Sequence, residues 1–316
     1  MSGPGAPAGS LALARNASPA RDAGPTFPPM ERLFERDTRG TEVRGARLPW
    51  ALERSYGSSL TIPLRPDEPT IIANFVSTID GVVAFDAKGA TGGGEVSGFY
   101  EPDRFVMGLL RALADVVIVG AGTVRAAPTH RWTPEHVHRA SARSFATWRR
   151  RQGIVQPEPT TMVVTRSGLL DPRHPGLADP RVPVVIVTAP EGARRLADAG
   201  FGSHVRVVVD DGPDLANVAL RVAFEELGAR VVLCEGGPHL LAEWLERRRL
   251  HELFLTLAPQ IAGRAGDERL GLIEGRAFEP ATAPWSDLVS VRRSGEHLFL
   301  RYRLRDGEAP AITREH

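Results

Sequence analysis

In Gly120-Ala121-Gly122-Thr123, which follows the β-branched run 116–119, two glycines let a ligand come close to the backbone. Thr123 adds a hydroxyl suited to a phosphate or an amide. The same four residues also make an ordinary tight turn. A dinucleotide fingerprint of the Rossmann kind would set Gly or Ala where Arg125 stands and run on into a helix. Here Ala126-Ala127-Pro128 interrupts helical continuation, so this is not a Rossmann turn. A second segment, Glu235-Gly236-Gly237-Pro238, leads from the apolar run 230–234 into an amphipathic stretch carrying Leu240, Leu241, Trp244 and Leu245. Its paired glycines and helix-starting proline expose amides at the positive end of a helix dipole, which suits a pyrophosphate. Glu235, at the strand tip, faces the same cleft and can accept hydrogen bonds from a substrate hydroxyl or amine, or act as a capping or surface carboxylate.

Two further groups could contribute. Arg166 and Ser167, after the run 161–165, offer the guanidinium and hydroxyl that hold the ribose 2′-phosphate distinguishing NADPH from NADH, although a solvated arginine at a strand end is commonplace. The segment 102–113 has Phe105, Val106, Leu109, Leu110 and Leu113 on one helical face, with Arg104, Gly108 and Arg111 sharing another side. That side either grips a substrate phosphate or is an exposed polar face.

The chain that must position these residues changes character along its length. Residues 1–30 are rich in Gly, Ala, Pro and Ser and read as a disordered tail, and 307–316 as a flexible one. Residues 31–69 mix Leu33, Phe34, Trp50, Leu52 and Leu60 with many charges, as an arm lying over a core or a partner subunit would. From residue 70 to 306 short β-branched runs alternate with helical stretches, predicting one α/β domain with a mostly parallel sheet covered on both faces. The strands are expected at 70–77, 116–119, 161–165, 182–188, 205–209, 230–234 and 253–257, and the helices at 102–113, 134–151, 191–199, 214–227 and 238–248. At the end, 287–293 and 297–304 flank Ser294-Gly295-Glu296 with Leu298, Leu300, Tyr302 and Leu304 alternating, an antiparallel hairpin that makes the sheet mixed.

Composition narrows the function. A net charge of +1 from 39 basic and 38 acidic residues gives no field to attract nucleic acid or anionic lipid. The single cysteine, Cys234, excludes an internal disulfide framework and fits a reducing, cytoplasmic setting; it sits in an apolar strand as inert core. No run approaches a membrane span or a signal-peptide core. P-loop, H-E-x-x-H, G-x-S-x-G and paired-cysteine signatures are missing, leaving zinc and serine-nucleophile chemistry without support. Arg149-Arg150-Arg151 ends a predicted helix as a solvated basic face.

Taken in order, Ser77-Thr78-Ile79-Asp80-Gly81, Leu110-Arg111-Ala112, Gly120-Ala121-Gly122-Thr123-Val124, Glu235-Gly236-Gly237-Pro238 and Ala258-Pro259-Gln260-Ile261-Ala262-Gly263 resemble the bacterial riboflavin-biosynthesis pyrimidine reductases over roughly residues 70–304. The resemblance implies a dihydrofolate reductase-like fold and a homodimer. It also implies NADPH-dependent reduction of the ribosyl side chain of a 5-amino-6-ribosylamino-uracil 5′-phosphate. It assigns Val76, Thr123, Arg166 and the stretch 237–243, which includes Pro238, His239 and Leu240, to the cofactor, and Arg111 and Glu235 to the substrate. Asp80, Glu235 or an ordered water would supply the proton of the reduction. Two departures stand out. The deaminase motifs that commonly precede such reductases are missing, and the usual Asp-Asp-Pro is Ala126-Ala127-Pro128, so an acid that meets the cofactor is absent at Ala127. Arg131 is the candidate for the family's substrate-binding arginine. The absent acid motivates two alternatives: a reductase of a dihydropterin or other specialised substrate, or a non-catalytic NADPH-binding protein.

Overall fold

The computed structural model describes residues 24–36, 42–45, 48–85, 92–264 and 269–305. The expected tail 307–316 lies outside the described residues, as does the N-terminal tail up to residue 23. Ten strands make one sheet: β1 (Glu31–Glu35), β2 (Thr70–Ser77), β3 (Val116–Gly120), β4 (Thr160–Thr165), β5 (Val184–Thr188), β6 (Val205–Val209), β7 (Val231–Cys234), β8 (Glu252–Leu257), β9 (Ser286–Ser294) and β10 (His297–Leu304). Their order is β1-β9-β10-β8-β2-β7-β3-β4-β5-β6. From β8 to β6 every neighbouring pair is parallel, and β10, β9 and β1 extend the β8 edge antiparallel. This is the mostly parallel mixed sheet with a terminal hairpin that the alternation of runs predicts.

Central strands such as β3 and β7 are apolar on both faces because helices cover both. On one face lie α1 (Trp50–Tyr56), α2 (Gly93–Ser97) and α3 (Glu101–Leu113), followed along the chain by α4 (Ala121–Ala126), α5 (Ala142–Arg151) and α6 (Pro190–Ala199). Leu52, Phe105, Leu109, Phe145, Trp148 and Leu196 from this group share a core cluster with Ile72, Val117, Leu233 and Phe254 of the sheet. On the other face α7 (Leu215–Arg221) and α8 (Pro238–Glu246) pack Leu215, Ala219, Leu241 and Trp244 against Ile71, Ile118 and Val232.

Two expectations are corrected, and one is narrowed to the first of its alternatives. The helix expected over 134–151 is split into Pro134–Val137, a 3-10 turn Arg139–Ser141 and α5, because His138 adopts φ −144° and turns its ring among Phe27, Phe105 and Phe145. The arm rests on this subunit's own core: β1 pairs with β9, Leu52 and Leu60 are buried with Phe254 and Phe299, and Leu33, Phe34 and Trp50 stay exposed. Arg150 and Arg151 are solvated, but Arg149 is buried. Its guanidinium donates to the carbonyls of Arg111, Ala112 and Ala114 at 3.1, 3.2 and 2.6 Å and to that of Gln156 at 3.0 Å. It thereby satisfies carbonyls that the end of α3 leaves without helical partners.

Replacing Arg149 by Met keeps the aliphatic stem and leaves those carbonyls unmet. The expected cost is about 2–4 kcal/mol in urea unfolding. Arg150→Met, on the exposed neighbour, is expected to change stability by less than about 0.5 kcal/mol.

Candidate functional site

Because β8, β2, β7, β3 and β4 run parallel, their carboxyl ends open on one edge of the sheet, where open α/β sheets bind ligands. Register aligns them: Cys234 of β7 sits opposite Ala73 of β2 and Ile118 of β3, and the Glu235 amide donates to the Ile118 carbonyl at 3.1 Å. Ile72, Leu233 and Phe254 point toward α3. Two residues further along each strand, alternation therefore turns Asn74, Glu235 and Thr256 to the same side. The apolar layer beneath α3 becomes polar at this edge.

Arg111 joins it from α3. Only 1% of its side chain is exposed, against 8% for Glu235. Its Nε donates to Glu235 Oε1 and Oε2 at 3.0 and 3.1 Å, and Nη2 to Oε2 at 2.5 Å. Nη2 also lies 2.8 Å from His130 Nε2, and Nη1 donates to the carbonyls of Arg131 and Thr133 at 3.0 and 3.2 Å. All five guanidinium N–H groups thus have acceptors within the chain. The face read as an exposed or phosphate-gripping side is neither at Arg111 nor at Gly108, which is buried under Phe145. Arg111 clamps Glu235 and the 130–133 loop, while Arg104 is exposed. Burial and then the Arg111 charge push His130 down to about 2, so its ring is neutral and Nε2 accepts from Arg111. Arg131 pairs with Asp179 at 2.8 Å.

The two glycine turns meet beside this clamp. Gly120 caps α4, so a helix does follow the first turn, but it ends at Ala126 ahead of Pro128. A Cβ at Gly120 or Gly122 would meet nothing within 4 Å, whereas one at Gly237 would lie 3.6 Å from Thr123 Oγ1. Gly236 has no such room, since a Cβ there would sit 2.5 Å from Leu240 Cδ2. Gly237 caps α8, Pro238 opens it, His239 is exposed and Leu240 is buried. Open backbone at two glycines, a hydroxyl and a nine-residue helix N-terminus form a cradle whose chemistry fits a pyrophosphate. One strand further, Arg166 is exposed and donates to the Pro213 carbonyl at 2.6 Å, with Ser167 half-buried beside it. Val76, at the end of β2, is 7% exposed and lies under Gly93. Burial pushes the Cys234 thiol up to about 12, which keeps it an inert neighbour.

Asp80 stands apart from this group. Its carboxylate is exposed and accepts from Thr78 Oγ1 at 2.6 Å, from the Ala262 amide at 3.0 Å and from the Gly263 amide at 2.5 Å. The Thr78 hydroxyl first, then these amides, pull it down to about 2, so it fastens the 258–263 loop and has no proton to give near neutrality. Sequence reasoning passed over four polar residues of the site: Asn74, His130, Thr256 and Asp103. The last lies one position before Arg104 and is 4% exposed. Nothing in the sequence separates it from an ordinary first-turn helix acid.

Fold and site together define an α/β protein with two glycine turns suited to phosphate at the carboxyl edge of a parallel sheet. The chain belongs to the RibD C-terminal domain family, whose family model matches residues 69–299. Among solved structures, RibD of Acinetobacter baumannii superposes with a TM-score of 0.56 at 18% identity, covering 81% of this chain and 61% of that one. A pyrimidine reductase-like protein from Corynebacterium diphtheriae gives 0.58 at 20%, covering 76% and 93%. The diaminohydroxyphosphoribosylaminopyrimidine deaminase/5-amino-6-(5-phosphoribosylamino)uracil reductase of Thermotoga maritima gives 0.54 at 20%, covering 75% and 57%. The chain therefore spans about three-fifths of the Acinetobacter and Thermotoga proteins, and at these identities the agreement is one of fold. No curated protein matches by sequence. Among the described residues no helix is long and apolar enough to cross a membrane, and no group of three His, Cys, Asp or Glu could hold a metal ion.

Arg111→Met strips the buried Glu235 of its partner and is expected to cost about 3–5 kcal/mol. Adding Glu235→Leu removes both charges and is expected to recover roughly half of that loss or more. A urea-unfolding double-mutant cycle measures this, and a double variant no more stable than Arg111→Met would contradict the clamp.

Proposed function

We propose that this chain is an NADPH-dependent reductase that acts on the ribosyl side chain of a 5-amino-6-ribosylamino-uracil 5′-phosphate, with residues 70–306 as its reductase domain. The observation that carries this reading is the convergence of Thr123 and Gly237 beside Glu235. Family membership supports it, as does the reductase activity named for the Thermotoga relative. When bound, the cofactor supplies hydride from its dihydronicotinamide. The stretch 237–243 and Thr123 would hold its pyrophosphate, with Gly120 and Gly122 giving room nearer the nicotinamide. Arg166 and Ser167 would take the 2′-phosphate. Glu235, held still by Arg111, would accept hydrogen bonds from substrate hydroxyl or amine groups, so the protein contributes orientation and charge placement.

One observation favours a second reading. Arg111, the residue the resemblance gives to the substrate, has no N–H left for a phosphate. A substrate without that phosphate, such as a dihydropterin, suits such a site. Incubation with NADPH and either the ribosylamino-uracil phosphate or dihydrofolate, following cofactor oxidation, separates the readings. Turnover with the uracil selects the first and turnover only with the pterin the second; NADPH binding without turnover would leave a non-catalytic binder. Gly237→Asp, at a position with an ordinary φ of −67°, is expected to fold and to weaken NADPH binding about 100-fold, or about 2.7 kcal/mol. Unchanged binding would sink the cofactor site.

We further read the protein as a cytoplasmic homodimer. β8 and β10 pair with each other inside the chain. Their opposed residues Leu253 and Tyr302, Leu255 and Leu300, Leu257 and Leu298 make a half-buried apolar sheet face. Such a face suits burial against a second copy. Light scattering is expected to give a dimer mass for the wild type and a monomer for Leu300→Arg.

A further inference from the structure

The turn that leaves α8 carries a strained residue. Arg248 adopts φ +54°, the left-handed region that bulky side chains avoid. Its amide donates to the Leu245 carbonyl at 3.1 Å, and the Arg249 amide to the Trp244 carbonyl at 2.8 Å. Glycine is the usual left-handed residue in a helix-ending turn of this kind. An arginine near a helix end complements the dipole from any backbone conformation, so the dipole does not account for the strained one. Strain of this kind collects at ligand clamps. The Arg248 side chain lines a cavity of about 330 Å³ between the end of α8, the 276–284 segment and the end of β10. That volume lies at the small end of the range for ligand pockets. Leu250, buried, and Leu245 and Phe278, half-buried, give it apolar walls, and exposed Arg276 and Arg305 add two more guanidinium groups. One edge of Arg276 holds Glu246 at 2.9 Å, and one edge of Arg305 holds Asp287 at 2.7 Å. Among the described residues, Arg276 Nη2 and Arg305 Nη1 have no acceptor. Of the described residues that line the cavity, Glu246 alone is acidic.

We propose that this cavity is a second ligand site, for a small aromatic phosphate ester, and that it is independent of the reduction proposed above. It lies at the C-terminal end of α8, whereas the Gly237 turn lies at the start of that helix. The aromatic ring packs against Leu245, Leu250 and Phe278, where removal of apolar surface from water favours binding. The phosphate oxygens meet Arg248 and the unengaged edges of Arg276 and Arg305, whose forked donors match phosphate geometry. The excess of guanidinium over carboxylate selects an anion over a neutral or cationic ring. Ring and phosphate must be joined in one molecule. Exposed arginines hold a phosphate alone weakly, because water and salt screen them, and a neutral ring alone leaves them unused. No bond is made or broken at this site.

Calorimetric titration of phenyl phosphate into the full-length protein tests the site, with inorganic phosphate and phenol as separate probes. Phenyl phosphate is expected to bind about tenfold or more tighter than either half alone. Arg248→Gly relieves the left-handed strain and removes a guanidinium, so two readouts are expected to move in opposite senses. Its urea midpoint rises, while its affinity for phenyl phosphate falls about tenfold. Arg276→Gln is expected to weaken phenyl phosphate by a similar factor with little change in the midpoint, since its pair with Glu246 is exposed. Gly237→Asp is expected to leave phenyl phosphate affinity unchanged. Phenyl phosphate that binds no tighter than inorganic phosphate overturns the site, as does binding that neither arginine variant weakens. Should Arg248→Gly fail to fold, Arg276→Gln decides alone. Binding lost in Gly237→Asp but kept in the arginine variants puts the anion in the α8 N-terminal turn, which overturns this site and leaves the reductase reading standing.

Discussion

The buried pair of Arg111 and Glu235 is the constraint around which the carboxyl edge of the sheet is organised. Taking both charges out of water is expensive, and their attraction repays it only when geometry is good and the remaining donors are met. Both conditions hold, since three contacts reach the carboxylate and every other guanidinium hydrogen meets a loop carbonyl or His130. A single side chain thereby ties α3, the tip of β7 and the 130–133 loop to one another. The orientation of Glu235 toward the cleft is a consequence of that tie.

The same solution recurs elsewhere in the chain, with arginine as the connector. Arg149 closes the carbonyl end of α3, and Arg301 bonds both Glu252 and the Thr61 carbonyl, joining β10, β8 and the N-terminal arm. Arg292 reaches the Tyr56 carbonyl, Ser58 and Glu35, fixing the arm to β9. A planar guanidinium suits this role because its five donors point in fixed directions and can satisfy several acceptors at once. With charge consumed internally in this way, the proposed cofactor site would rely on backbone amides and a few placed side chains to recognise its ligand.

Environment separates carboxyl groups of similar chemistry in this chain. Asp80, in water and bonded by two amides and a hydroxyl, is held as a carboxylate. Asp103, desolvated and near a second carboxylate, is pushed up to about 6. The difference arises from burial and partners, which no local sequence feature encodes.

Much of the architecture was legible because it rests on local periodicity. β-branched runs marked the bounds of β2 and β6, the paired glycines before Pro238 marked the start of α8, and alternation marked the terminal hairpin. The sequence by itself determined most of the sheet strands from residue 70 onward, where glycine leaves backbone open, and that Glu235 lies at a strand tip, while the strand Glu31–Glu35 and the helices Trp50–Tyr56, Gly93–Ser97 and Ala121–Ala126 carry no such local signal. Tertiary structure alone decided that Arg111 is saturated by internal acceptors, that Arg149 is buried while Arg150 is not, and that β8 and β10 pair with each other. It also decided that Asp103 turns inward. Propensity and periodicity act over a few residues, whereas the state of a charged side chain depends on partners brought to it from Thr256, Glu235 and His130, far away along the chain.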